Sequence, residues 1–327
     1  MKISVSIPTY NQGQYIEKAI LSVYTQTLKP FEIIVSNDCS TDDTKDILEK
    51  LKLKIPILKV INQPVNLGIG KNVDASLKAA TGDFILRLDS DDYLEPNYCQ
   101  VLSALLVEFP EAGYAHGNVS EMDQHDNHLR YRTLLRRTGF QSPDDALRAA
   151  VKGYRVAANI VMFRRSALVA VDYMAGRPNF GEDYHLAVDL AAHGWGNVFS
   201  SKILSNYRVW VDIGKARQKR KLNEIVGLTS VFKDVIIPAF TKRKWDLKSV
   251  ESSMEKIACA QSDCLGWDLY NTEEVTQLTT AILNLSSSTT TKRYIWLNVN
   301  GYGKYIAAVG KVKGKVKTFI KDKILSK

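Results

Sequence analysis

The first ninety residues alternate short apolar runs with amphipathic stretches, and this regularity limits the possible folds more than any other feature of the chain. Residues 3–7, 31–35, 57–61 and 84–88 are apolar runs of strand length. Between them, Ile16, Ala19, Ile20, Val23 and Tyr24 share one helical face, and 43–51 and 70–80 read as two further helices. Such alternation predicts an α/β fold: a doubly wound, mostly parallel sheet with right-handed crossovers. Ligands of such sheets gather at the carboxyl ends of the strands. The loops to inspect are therefore 8–13, 37–41, 62–68 and 89–93.

Beyond Pro96 the alternation lapses. Residues 97–108 and 143–151 read as helices, 113–139 as a polar stretch, and 160–163 as a short strand. A helix over 182–192 ends before Gly194, and 203–211 reads as the last strand of the sheet. The remainder of the chain reads as helical, with a serine- and threonine-rich break near 285–291. We expect a catalytic domain over 1–214, divided at about residue 96, and a helical region over 215–327.

Hydrophobic residues make up 45% of the chain and charged residues 24%, ordinary for a globular protein with a sizeable core. Cys39, Cys99, Cys259 and Cys264 form no CxxC, so reduced thiols and a cytoplasmic location are expected. A strand-like run starts two residues after Met1, which leaves no room for a signal peptide, and no apolar run reaches membrane-spanning length. The net charge of +9 is concentrated at the end. Residues 303–327 hold eight lysines against Asp322, a net of +7 that leaves only +2 elsewhere. A nucleic-acid-binding body is thereby disfavoured. In this tail Ile306, Val309, Val312, Val316, Phe319, Ile320 and Ile324 recur at three- and four-residue spacing. A basic amphipathic helix of that kind suits an anionic membrane surface, here the cytoplasmic face of an inner membrane.

The fourth strand runs directly into Asp89-Ser90-Asp91-Asp92. Three carboxylates so close repel one another unless a cation sits among them, and Mg²⁺ or Mn²⁺ often shares such ligands with a diphosphate. The plainer reading is an acidic turn. After the first strand, Pro8-Thr9-Tyr10-Asn11 lacks the G-x-G-x-x-G of a dinucleotide site, and Tyr10 is either a stacking surface for a base or a half-buried turn residue. After the second, Asp38 is placed to accept from a base or a ribose, while Ser40 and Asp43 have capping-box spacing. Asn66-Leu67-Gly68-Ile69-Gly70-Lys71-Asn72 opens a helix whose N-terminus and Lys71 suit an anion. Glu182-Asp183 opens another, either as dipole-complementing acids or as a general base.

In this order and spacing, Ser6-Ile7-Pro8-Thr9-Tyr10-Asn11, Asn37-Asp38-Cys39-Ser40-Thr41-Asp42, Asn66-Leu67-Gly68, Ala80-Thr81-Gly82-Asp83, Leu88-Asp89-Ser90-Asp91-Asp92 and Gly181-Glu182-Asp183 resemble the inverting glycosyltransferase family two, which has the GT-A fold. The likeness runs from Met1 to near Trp210. It implies a nucleotide-sugar donor, most often a UDP-sugar, bound by residues 1–96, and a glycan acceptor read by 97–214. By motif position Tyr10 and Asp38 bind base and ribose, Asp89 the nucleoside, and Pro8, Ser90 and Lys71 lie beside them. Asp91 coordinates a divalent metal, Mn²⁺ or Mg²⁺, and Asp92 supports the loop. Asp183 is the catalytic base, with Glu182 orienting it or the acceptor. With the basic tail, the acceptor becomes a lipid-linked glycan of bacterial-type surface polysaccharide or O-antigen synthesis. Two departures stand out: Tyr207-Arg208-Val209 is followed by Trp210 where the family commonly has a histidine, and Gly70-Lys71-Asn72 replaces a more frequent alanine-arginine-asparagine. A sugar-phosphate nucleotidylyltransferase would need a basic, glycine-rich loop at 8–13, which is lacking. A non-catalytic binding module would not need both Asp91 and Asp183.

Overall fold

The computed structural model describes residues 1–177, 180–210 and 218–303. The lysine-rich tail after Gly303 and the expected domain boundary at 214 lie outside these residues.

The amino-terminal half follows the expected alternation. β1 (Ile3–Thr9), α1 (Gly13–Tyr24), β2 (Glu32–Asn37), α2 (Thr44–Lys52), β3 (Leu58–Asn62), α3 (Ile69–Lys78) and β4 (Phe84–Arg87) succeed one another, with the four strands parallel in the order β3-β2-β1-β4. β1, β2 and β4 are buried on both faces, which is why they read as nearly unbroken apolar runs. Val5, Ile7, Ile33, Val35 and Leu86 are fully buried between the helical layers, and each contributes roughly 1.5–3 kcal/mol of transfer free energy. The polar residues inside these strands are paired. Ser6 bonds Ser76 (2.7 Å), and Ser36 donates to the Asn72 side chain (2.6 Å), whose amide returns a bond to the Ser36 carbonyl (3.0 Å).

β5 (Tyr93–Leu94), α4 (Tyr98–Glu108), β6 (Ala112–Met122), β7 (His128–Arg132), β8 (Gly139–Gln141), α5 (Pro143–Ala150), β9 (Val161–Arg164), α6 (Arg165–Ala170), α7 (Glu182–Ala192) and β10 (Gly196–Arg208) extend the sheet. Its order continues β4-β9-β6-β10-β5, with β9 antiparallel to both β4 and β6. The stretch expected to be a polar connection at 113–139 is therefore largely strand. β6 contains Gly113, His116, Gly117, Asn118 and Ser120, yet every residue of it is buried because β10 lies along one side and β9 and β7 along the other. Neighbouring strands enclosed what local hydropathy marked as exposed. The last strand likewise begins at Gly196, seven residues before its expected start, because it pairs with β6 from Ala112 onward. The capping box at Ser40 and Asp43 does not form. Ser40 Oγ accepts instead from the Asn11 amide (2.9 Å), and Asp42 accepts from Thr44 (3.1 Å) and Gly13 (3.0 Å), tying α2 to α1.

The carboxyl-terminal part of the described chain is helical: Lys221–Ser230, continued through a π-turn at Val231–Ile236 into Ile237–Lys242, then Lys248–Gln261, Thr272–Leu285 and Thr289–Val299. The expected break falls at 286–288. These helices share a core with α5 and α7, in which Leu147, Tyr184 and Val188 pack with Phe232, Ile236 and Ile282. Gly227 lies so close to the segment before α7 that a Cβ on it would stand 1.9 Å from the Phe180 carbonyl oxygen. The helical region thus braces the start of α7. No helix among the described residues is long and apolar enough to cross a membrane.

Candidate active site

The carboxyl ends of β1, β2 and β4 are adjacent, and the chain reverses its direction of strand addition between β1 and β4. A crevice opens at such a switch point. On its β1–β2 side, Pro8 is buried within β1 and Tyr10, 46% exposed, stands at the exit. Asp38 is buried, and its carboxylate accepts the backbone N–H groups of Leu67 (2.6 Å) and Gly68 (3.0 Å). Its side chain therefore shapes the third loop, and a ligand would use the lone pairs that remain. Lys71 is exposed on the first turn of α3 with no partner among the described residues.

The β4 side carries the charges. Arg87, 2% exposed, donates one guanidinium nitrogen to Asp183 and another to Asp89 (3.2 Å). Burial disfavours its charge, but Asp183, Asp89 and Glu182 around it hold its pKa above the usual value. Motif position assigned no role to Arg87. The available signal was an arginine inside an otherwise apolar strand, since such a buried charge requires a partner. Asp183 sits at the start of α7 after Gly181, whose φ of 74° is the left-handed conformation glycine adopts freely. Burial and Asp89 push the Asp183 carboxyl upward, while Arg87 and the polar side chain of Asn159 pull it down; the net direction is up. Glu182 is pushed up to about 7 by burial and by Asp183 beside it. Carboxyl groups tuned toward neutrality are what general-base chemistry uses.

The acidic loop divides into different environments. Ser90 is buried. Asp92 is buried too, accepts the Arg208 amide (2.7 Å) through one oxygen and leaves the other with no hydrogen-bond partner among the described residues. Burial, Asp91 and Asp89 raise its carboxyl well above the ordinary range. Asp91 accepts from the Trp210 indole N–H (2.8 Å), and burial and Asp89 raise its carboxyl as well. Arg208, to which motif position likewise gave no role, fastens this loop. It donates to the carbonyls of Asp91 (2.9 Å) and Asp123 (2.6 Å) and to the Asp126 carboxylate (2.6 Å), and its guanidinium lies over the Tyr15 ring (4.1 Å). Trp210 meets Tyr15 edge-on at 5.8 Å.

This corner is short of positive charge: two raised carboxyls and an orphaned buried oxygen fit a hard divalent cation. Asp91, one oxygen of which accepts from Trp210, and the unpartnered oxygen of Asp92 could hold such an ion, while Asp89 is drawn to Arg87. Trp210 donates a hydrogen bond and cannot ligate. Among the described residues no group of three or more His, Cys, Asp or Glu forms a ready-made cage.

The sheet, the acidic residues at its switch point and the second carboxylate pair opposite are those expected of the family that the sequence resembles. The family model "Glycosyl transferase family 2" matches residues 4–169, half of the chain, and the protein belongs to that family as a glycosyltransferase. It is 26% identical over 267 residues to glycosyltransferase GlyA of Streptococcus pneumoniae, covering 80% of this chain but 34% of that protein. It is also 40% identical over 116 residues to a GalNAc(5)-diNAcBac-PP-undecaprenol beta-1,3-glucosyltransferase of Campylobacter jejuni, 35% of this chain and 36% of that one. The chain thus spans about a third of the length of each of these two relatives. The S. aureus TarS 1–349 crystal structure superposes with a TM-score of 0.60 over 93% of this chain and 89% of that one at 19% identity, a likeness of fold.

Proposed function

We propose that this glycosyltransferase moves a sugar from a nucleoside diphosphate donor, a UDP-sugar, to a glycan hydroxyl with inversion, using Asp183 as the base. The observation that carries the reading is Arg87. One buried guanidinium joins Asp89, on the donor side, to Asp183, on the opposite wall. In a single in-line displacement the acceptor hydroxyl loses its proton as it attacks the anomeric carbon, and the diphosphate leaves from the other face. Asp183 takes that proton. Arg87 and Asn159 orient it, and Glu182 next to it contacts the acceptor. Tyr10 and Asp38 hold the base and ribose, with Pro8, Lys71, Asp89 and Ser90 along the nucleotide. Asp91 would hold a divalent ion, Mn²⁺ or Mg²⁺, which when bound neutralises charge on the leaving diphosphate.

Several relatives support parts of this reading. TarS was crystallised with UDP and with UDP-GlcNAc, and a Pyrobaculum calidifontis mannosyltransferase of similar fold with GDP-Man and Mn²⁺. The Campylobacter relative is named for an undecaprenol-linked substrate. A lipid-linked glycan is accordingly the acceptor class we assign, with a role in surface polysaccharide synthesis at the cytoplasmic face of a membrane. We assign catalysis to residues 1–214, with the helices between Lys221 and Val299 packed on them as a brace. Donor hydrolysis or transfer by Asp183→Asn tests the central assignment. A loss of roughly 10²–10⁴-fold is expected with UDP binding retained; undiminished turnover removes Asp183 from its role.

A further inference from the structure

The β6–β7 hairpin stands at the same end of the sheet as the acidic loop, because β6 runs parallel to β4 through the antiparallel β9 between them. It also flanks the base. Arg132 donates to the Ala157 carbonyl (2.8 Å), two residues from Asn159, whose side chain lies close enough to Asp183 to lower its carboxyl, and lies over the Tyr207 ring (5.1 Å).

Residues 128–137 carry features that the transfer chemistry does not use. They include Arg130, Arg132, Arg136 and Arg137 and no acidic residue. Arg130 and Arg132 both pair with the buried Glu121, two guanidiniums on one carboxylate, which leaves a positive surplus. Arg137 is exposed with no partner among the described residues. Alternation along β7 places Leu129 and Tyr131 on the face away from Glu121, where they are 47% and 60% exposed, and Leu135 in the following loop is fully exposed. Three large apolar side chains on one short cationic segment mark an interaction surface.

We infer that residues 128–137 dock on an anionic lipid bilayer, with Leu129, Tyr131 and Leu135 entering the interface and Arg137 meeting lipid phosphates. The arginines alone would suit any polyanion. Exposed leucines gain by leaving water for an apolar phase, which a bilayer offers and a soluble acidic glycan does not. Docking there would bring the Asp183 wall of the crevice to the membrane surface. The inference goes beyond the transfer reading and is separable from it, since vesicle binding needs neither donor nor acceptor.

The test is sedimentation of the full chain with phosphatidylglycerol-containing and pure phosphatidylcholine vesicles, for wild type and Leu135→Glu/Arg137→Glu. Both positions lack partners among the described residues, so the melting temperature should not change; Leu135→Ser is the milder second variant. A phosphate contact from one basic residue is worth about fivefold in binding, so the double variant should bind anionic vesicles at least about tenfold more weakly, with salt reducing the difference but leaving the apolar share of Leu135. Wild-type-like vesicle binding by both variants overturns the inference. So does loss of binding to soluble poly(glycerol phosphate) with vesicle binding unchanged, which would assign the surface to a phosphodiester glycan.

Discussion

Replacing Arg87 with methionine removes the one cation that, among the described residues, touches Asp183, while keeping an unbranched apolar side chain in β4. In the native protein the guanidinium is buried and bonded to both Asp183 and Asp89, with Glu182 nearby. Removing one partner of a buried ion pair leaves the others unmatched and costs about 3–5 kcal/mol of stability. The same deletion acts on the base. An opposite charge about 4 Å away is worth roughly 4 kcal/mol at an effective dielectric near 20, or about three pKa units. Burial and Asp89 already push the Asp183 carboxyl upward, and Arg87 opposes them. Without it the carboxyl rises further, more of it is protonated at neutral pH, and the acid limb of the kcat/KM profile moves to higher pH. Water entering the vacated space reduces the shift to about one to three units. The assay is donor hydrolysis between about pH 5 and about pH 9 for wild type, Arg87→Met and Arg87→Lys. Arg87→Lys keeps the charge but not the fork, and should fall between the other two. If the rate falls evenly at every pH and the acid limb stays in place, Arg87 serves only packing and the argument fails.

Three further outcomes are expected from the same geometry. Glu182, pushed up to about 7, has a folded pKa above its unfolded one, so its contribution to stability is full below about pH 4.5 and is lost as pH rises through 7; in denaturant melts Glu182→Gln should gain about 1–3 kcal/mol at pH 8 and almost nothing at pH 4. Gly227→Ala places a methyl against the Phe180 carbonyl and should cost about 1–3 kcal/mol. Because that contact braces the start of α7, turnover should fall by more than the loss of folded protein explains, as activity normalised to the folded fraction would show. Trp210→Phe deletes the N–H that orients Asp91, a bond to a charged group worth about 1.5–3 kcal/mol; Mn²⁺ titration in the presence of UDP should show roughly tenfold weaker metal binding, with UDP binding in the absence of metal unchanged.

The sequence by itself determined the amino-terminal half of the sheet. In β1 to β4 and their crossover helices, each apolar run is long enough, and each turn distinct enough, for local periodicity to specify the element. The acidic loop after β4 and the Glu182-Asp183 pair at the start of α7 lie where strand and helix patterning puts them, and their proximity across the crevice is a result of folding. Only the tertiary structure decided the rest. β6 is built from glycine, histidine, asparagine and serine, and becomes a central strand because neighbours on both sides satisfy its backbone and exclude water. Periodicity has no means of detecting partners supplied from distant parts of the chain. The same holds for Arg87 and Arg208. Arg87 has Asp89 two residues on, but Asp183, and the carbonyls and Asp126 carboxylate that hold Arg208, come within reach only in the packed chain. A buried charge is intelligible only together with the charges around it, and those are assembled by the fold.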